Sequence, residues 1–400
     1  RILKSLEKTG QLDNTIIVVI SDNGASSEGG TKGAFNEMSL FNNRQETFEE
    51  IFPKIDELGG ISSYNHYPWG WSWAGNTPFR RWKKEVYKGG CTDNLILHWS
   101  KGISAESIGG IREQYAHVID IYPTIIELLN IQQPKTIKGI IQSPVEGVSF
   151  AHTVNDAKAD TKHITQYFEM FGCRAIDHEG WRAVCGWPGK DYSDGISKGH
   201  NFGDEITPDI LKELDKTGWE LFDMKNDPTE SKNLSKENPE KLNEMISRWW
   251  SEAEKYKVLP LDGSTLMRFL EKRPGVSKNR SEYKYYPGLS VIPVGNTPKL
   301  NNRPHTITAE VEIPKGGAEG VILAQGGISG GYTLFVKDKK LHYVYNYLGL
   351  NYFEVISDEE IPEGKVTLKF RFLPTGLPKF KEGKGTAGRV KLFINDKQNQ

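Results

Sequence analysis

The feature that most constrains this chain is the run TIIVVISDNGASSEGG at residues 15–30. Ile16 to Ile20 are five consecutive β-branched apolar residues, and they lead directly into Asp22, Asn23 and Gly24. A near-continuous apolar run of this kind predicts a strand buried on both faces, as in a parallel sheet. Its carboxyl end opens into a loop rich in Gly and Ser, and open α/β sheets bind ligands outside the carboxyl ends of their strands. A carboxylate beside a carboxamide offers hard oxygens of the kind Ca²⁺ or Mg²⁺ takes. The competing reading is a plain turn, since Asp, Asn and Gly dominate turns.

A second stretch, YPWGWSWAGNTPFRRWKKEVYKGG at residues 67–90, is a cationic loop with three Trp residues ahead of Asn76 and a fourth at Trp82. Arg80, Arg81, Lys83, Lys84 and Lys88 supply donors suited to an oxyanion such as sulfate or phosphate. A solvated basic surface, or a nucleic-acid patch with stacking aromatics, would use the same residues. Gly89-Gly90 and the apolar run Leu95-Ile96-Leu97 that follows argue instead that this loop belongs to a core sheet.

Taken together, SDNGASSEGG, AGNTPFRRWKKEVYKGG, YAHVIDIYPTIIELLNI, SPVEGVSF and QYFEMFGCRAIDHEGWRAV resemble the arylsulfatases, within the alkaline-phosphatase-like superfamily. The resemblance covers residues 1 to about 255. The segment AEGVILAQGGISGGYTLFVKDKKLHYVYNYLGL resembles the β-domain of large bacterial-type arylsulfatases. The fold this implies is α/β: a partial sulfatase core, a small α+β subdomain and a carboxyl-terminal all-β sandwich. The expected units are 1–155, 156–256, a linker over 257–286 and the sandwich over 287–400.

The family's nucleophile lies in Cys-x-Pro-x-Arg or Ser-x-Pro-x-Arg and is oxidised to formylglycine. Cys91, Cys173 and Cys185 precede TDNL, RAID and GWPG, so none fits, and no Ser fits. Residue 1 is Arg. These facts lead to the expectation of a carboxyl-terminal part of a longer enzyme, inactive by itself, with its nucleophile and two metal-binding acids upstream.

What the resemblance implies for the site is specific. Asp22 and Asn23 match the family's metal pair, with Ca²⁺ expected ahead of Mg²⁺. Lys83 matches the lysine that binds sulfate and neutralises the leaving oxygen, with Lys84 as the alternative. Arg80 and Arg81 are equally readable as partners of acids. His66 and Trp69, Trp71 and Trp73 are further candidates for the substrate face. The expected substrate is a small-molecule or carbohydrate sulfate ester. Competing readings are a phosphonate or phosphodiester hydrolase of the same superfamily, a fragment whose sandwich binds carbohydrate, and a lectin-like protein with a decayed core.

The net charge of −1 excludes a polyanion partner held by bulk charge. No apolar stretch is long enough to span a membrane. Three Cys do not make a disulfide framework; Cys173 and Cys185 could pair or remain buried thiols. A helix is expected over 112–130, with Val118, Ile121, Ile125, Leu128 and Leu129 on its core face, Pro123 in its first turn or at a kink, and His117 and Asp120 structural. A second helix is expected in KENPEKLNEMISRWWSEAEKY, with Leu242, Met245, Ile246 and Trp249 inward. From about 287, short alternating segments such as HTITAEVEI and KLHYVYNYL predict a sandwich.

Overall fold

The computed structural model describes residues 1–189, 196–197, 200–201, 203–264, 280–293 and 296–400. The chain forms two compact units, one from residues 1–26 and 71–271, the other from 27–70 and 272–400. Mixed helices and sheets build the first; antiparallel strands dominate the second. Part of the expected linker, residues 265–279, lies outside the described residues.

In the first unit, β1 (Ile17–Ile20) pairs with β2 (Leu95–His98), and the pairing is antiparallel. The expectation of a central parallel strand buried on both faces is therefore corrected. Val19 is 55% exposed and Ile20 40%. The direction follows from the loops. The Gly24 N–H donates to the Gly90 carbonyl at 3.2 Å, so the chain re-enters the sheet at the end where it left, and β2 must run backwards. An apolar run cannot report the direction of its neighbour.

Four antiparallel strands form the larger sheet of this unit: β3 (Thr165–Met170), β4 (Cys173–His178), β5 (Trp181–Cys185) and β6 (Trp219–Asp223), in the order β6-β5-β4-β3. The helix Pro239–Lys255 packs on it and buries Met245, Trp249 and Ala253, spaced by four residues along one face. The Trp249 indole N–H reaches the Phe168 carbonyl at 3.1 Å. Leu242 and Ile246 pack beside it, as their spacing predicts. A helix the sequence reading did not anticipate spans Pro208–Thr217; Thr207 caps it by accepting from the Ile210 N–H at 3.3 Å, and Pro208 sits in its first turn.

The helix expected over 112–130 is shorter, Ile121–Leu128, preceded by one 3₁₀ turn at Val118–Asp120. Asp120 sets this start: its carboxylate accepts from the His117 N–H at 2.8 Å and from the Val148 N–H at 2.7 Å. Val118 and Leu129 are exposed rather than inward. Pro123 falls in the first turn of the shorter helix.

The second unit is a sandwich of two four-stranded antiparallel sheets. One holds His305–Ile313, Gly364–Pro374, Gly388–Ile394 and Lys397–Gln398; the other holds Gly320–Gly327, Gly330–Lys337, Lys340–Tyr347 and Asn351–Ile356. His305–Ile313 alternates between exposed and inward residues along its length, as a strand with one face on a core does. Leu334, Leu341, Val366, Leu368, Phe370 and Leu392 fill that core. Residues 27–70 belong to this unit. Asn36, 7% exposed, donates through its carboxamide to the Leu348 carbonyl at 2.8 Å and the Ser329 carbonyl at 3.3 Å. Glu46 accepts from the Phe35 N–H at 2.7 Å and steadies the same turn.

Because Trp249 is fully buried at the centre of the first core, Trp249→Ala should cost about 3–5 kcal/mol of unfolding free energy. Urea unfolding followed by circular dichroism checks this, and a loss below about 1 kcal/mol would show that the helix does not depend on that contact.

Candidate active site

The site is built where two glycine-rich loops of the first unit cross. Besides the Gly24 to Gly90 hydrogen bond, the Lys83 N–H donates to the Ala25 carbonyl at 3.0 Å. No side chain fits at the crossing. A Cβ on Gly24 would lie 1.7 Å from the Gly89 oxygen, one on Gly89 2.3 Å from the Arg80 and Arg81 oxygens, and one on Gly90 2.1 Å from the Glu85 oxygen. The structure thus brings the Asp22-Asn23 segment and the Lys83 segment together. His66 lies in the second unit, where it pairs with Ala34 through backbone hydrogen bonds and its Nδ1 sits 3.1 Å from the Tyr67 carbonyl.

Asp22 is exposed and Asn23 half-buried. Asp93, two residues before β2 and near enough to Asp22 to feel its charge, is a residue the sequence reading did not single out. Burial first, and then the Asp22 carboxylate, push the Asp93 carboxyl above its ordinary range. Two mutually repelling carboxylates beside a carboxamide fit a hard divalent cation in chemistry, because such an ion relieves their repulsion and prefers oxygen. Among the described residues no group of three or more His, Cys, Asp or Glu converges on one point, so the fit rests on Asp22, Asn23 and Asp93 as oxygen donors. The signal for Asp93 was its place just before the strand at Leu95, readable only once the pairing direction was known.

Three cations of the second loop lie beside carboxylates. Arg80 lies 3.7 Å from Glu220 and stacks over Tyr87 at 4.7 Å; Arg81 lies 3.4 Å from Glu85; Lys88 lies 3.6 Å from Asp177. The expectation that Arg80 and Arg81 partner acids holds. Beneath them is Arg182, fully buried, donating to Asp177 at 2.7 Å and Glu230 at 2.9 Å, and also to the Val86 carbonyl. The Lys88 N–H donates to the other Glu230 oxygen at 2.9 Å, and the Tyr87 hydroxyl donates to Glu220. This network fastens the cationic loop to the sheet of β3–β6. Lys83 and Lys84 stay half-exposed. Arg81 (φ 66°) and Lys84 (φ 82°) have left-handed backbones, uncommon for non-glycine residues. They bracket buried Trp82 and Lys83, and Trp73 meets Trp82 edge-on at 5.9 Å. Trp71 is 69% exposed.

Residues 1–131 match the family model described as Sulfatase. The chain carries a sulfatase-family domain over that stretch. It is 28% identical over 251 residues to an uncharacterized sulfatase of Schizosaccharomyces pombe, covering 62% of this chain and 39% of that protein. It is 24% identical over 150 residues to an arylsulfatase of Klebsiella aerogenes, covering 38% of this chain and 30% of the relative. The chain therefore spans well under half the length of these curated relatives. A solved putative sulfatase from Bacteroides fragilis aligns with a TM-score of 0.34 at 17% identity, over 68% of this chain and 41% of that one. A solved structure titled as a complex with D-glucosamine-2-N,6-O-disulfate aligns with a TM-score of 0.37 at 18% identity, over 66% and 39%.

The polar cluster near the start of the Ile121–Leu128 helix is joined by hydrogen bonds around Asp120. Asp120 is fully buried and also accepts from His163 at 2.7 Å, which holds the His163 imidazole above its ordinary range. Cys91, Cys173 and Cys185 are all free thiols. Glu85 is different. One of its oxygens is buried without a hydrogen-bond partner. Burial pushes its carboxyl up to about 7, against the pull of Arg81, Arg80 and Lys84.

Two tests follow from this geometry. Gly24→Ala should separate the two loops, lowering stability by about 1–3 kcal/mol by overpacking; thermal unfolding within about 0.3 kcal/mol of the parent would contradict the packed crossing. Glu85 keeps its proton longer folded than unfolded, so folding takes up protons between the ordinary value and about 7, and its contribution to stability falls as pH rises through that window. Glu85→Gln should therefore gain on the parent between about pH 5 and pH 8, by on the order of a few kcal/mol. Parallel stability–pH curves for the two proteins would refute the assignment.

Proposed function

We propose that this chain provides the cation-binding oxygens and the anion-binding lysine of a sulfuric ester hydrolase of the arylsulfatase type. The observation that carries this reading is the double backbone tie, Gly24 to Gly90 and Ala25 to Lys83, which holds the oxygen donors and the lysine segment on one rigid crossing. Asp22 and Asn23 would hold the cation, with Ca²⁺ favoured over Mg²⁺ because the donors are carboxylate and carboxamide oxygens on a loop. Bound there, a divalent cation supplies positive charge to the sulfate group as it transfers.

Lys83 binds the sulfate oxygens as a compact point charge and stabilises negative charge developing on the leaving oxygen. Arg80, Arg81 and Lys88 act one step back. The ion pairs of Arg80 with Glu220 and of Lys88 with Asp177 hold the loop in place, and Arg81 lies 3.4 Å from Glu85. The substrate class is a small-molecule or carbohydrate sulfate ester. The formylglycine nucleophile of the family has no matching Cys or Ser motif in the sequence, so the 400-residue chain assayed alone should not hydrolyse aryl sulfates.

Two measurements test this assignment. In the complete protein, Lys83→Ala should lower aryl sulfate turnover by about a hundredfold or more, and Lys83→Arg should not restore it, because a planar fork is not a point charge. Near-normal turnover in Lys83→Ala with loss in Lys84→Ala would move the role to the neighbour. Asp22→Ala should abolish calorimetric Ca²⁺ binding; unchanged binding would remove Asp22 from the cation site.

A further inference from the structure

We propose that Asn76 is the positioning residue that fixes the distance between the Asp22–Asn23 oxygens and Lys83. The inference rests on the sulfatase reading of those three residues and assigns to a fourth the geometry that reading needs.

Asn76 ends the helix Trp69–Asn76, and both ends of its carboxamide are engaged. Its Oδ1 accepts from the Ala25 N–H at 2.8 Å, and its Nδ2 donates to the Arg81 carbonyl at 2.9 Å. Ala25 is two residues beyond Asn23, and Arg81 two before Lys83. The Ala25 carbonyl accepts from the Lys83 N–H at 3.0 Å, which closes a ring of three hydrogen bonds through the two loops and one side chain. The amide orientation is dictated: turned over, it would set a donor against an N–H and an acceptor against a carbonyl.

Two further observations point the same way. Ser72, fully buried on the same helix, donates to the Ser26 carbonyl at 2.6 Å, so the helix grips the first loop twice. Arg81 has the left-handed φ of 66°, and the carbonyl that Asn76 binds is the one whose direction this conformation sets. Asn76 touches neither proposed ligand. It acts by denying the two loops any freedom to slide past each other.

Other side chains lack part of this function. Ala leaves an N–H and a carbonyl without their partner. Asp keeps an acceptor for Ala25 but opposes the Arg81 carbonyl with negative charge. Gln carries the same groups on a stem one carbon too long.

The test is hydrogen exchange by mass spectrometry on the full chain, together with calorimetric titration with sodium sulfate. Asn76→Ala should raise exchange about tenfold in peptides covering 22–27 and 79–88, the loss expected for one to two hydrogen bonds. Peptides from the sheet at 165–185 should stay unchanged. Asn76→Asp should restore protection in 22–27 but not in 79–88, a split that a general packing role would not produce. Sulfate affinity should weaken about tenfold in Asn76→Ala although Lys83 is intact. Exchange within twofold of the parent in both loops, or opening that extends into 165–185, overturns the proposal. No measurable sulfate affinity in the parent chain would count against the sulfatase reading, while exchange would still decide the role of Asn76.

Discussion

Everything at the candidate site depends on one close approach of backbone to backbone. Gly24 lies so near the Gly89 carbonyl that even a methyl group is excluded. Glycine is needed here for space, not for an unusual φ. The approach lets main-chain groups of two loops, some sixty residues apart in sequence, hydrogen-bond directly. It also accords with the antiparallel direction of β2, which brings Asp93 within reach of the Asp22 charge.

The charged layer beneath that crossing answers a different problem. A loop carrying five cations within nine residues repels itself unless carboxylates come to it. Asp177, Glu220 and Glu230 arrive from the neighbouring sheet and the segment after it, and Arg182 ties two of them together while fully buried. Such pairs contribute little net stability compared with an apolar filling, but removing one partner strands a buried charge at a cost of several kcal/mol. Their consequence here is placement. Arg80 and Lys88 are held beside carboxylates, and all five cations of the loop stay half-buried.

The second unit shows how a long insertion can be folded without a core of its own. Residues 27–70 contain only short helices, at Glu37–Phe41 and Phe48–Ile51, too short to be stable in isolation. They are anchored on sandwich loops through Asn36 and, more loosely, through Asn43, which donates to the Phe380 carbonyl at 3.3 Å.

What the sequence determined was local and periodic. The strand HTITAEVEI is legible because side chains alternate across a sheet whatever their partners. The helix with Met245 and Trp249 is legible because its inward residues recur at the helical period. The sulfatase resemblance of residues 1–131 was legible because its motifs are short and contiguous. Arg80 and Arg81 were also readable as partners of acids, though not which acids. Tertiary structure decided what depends on a distant partner: that β1 pairs antiparallel and remains partly exposed, that the helix expected over 112–130 starts only at Ile121, that His66 lies in the second unit, and that Asn76 bridges the two loops. An apolar run states that a strand wants burial, and a carboxamide states that it wants one donor and one acceptor. Neither states who supplies them, because that is fixed only when segments remote in sequence meet in space.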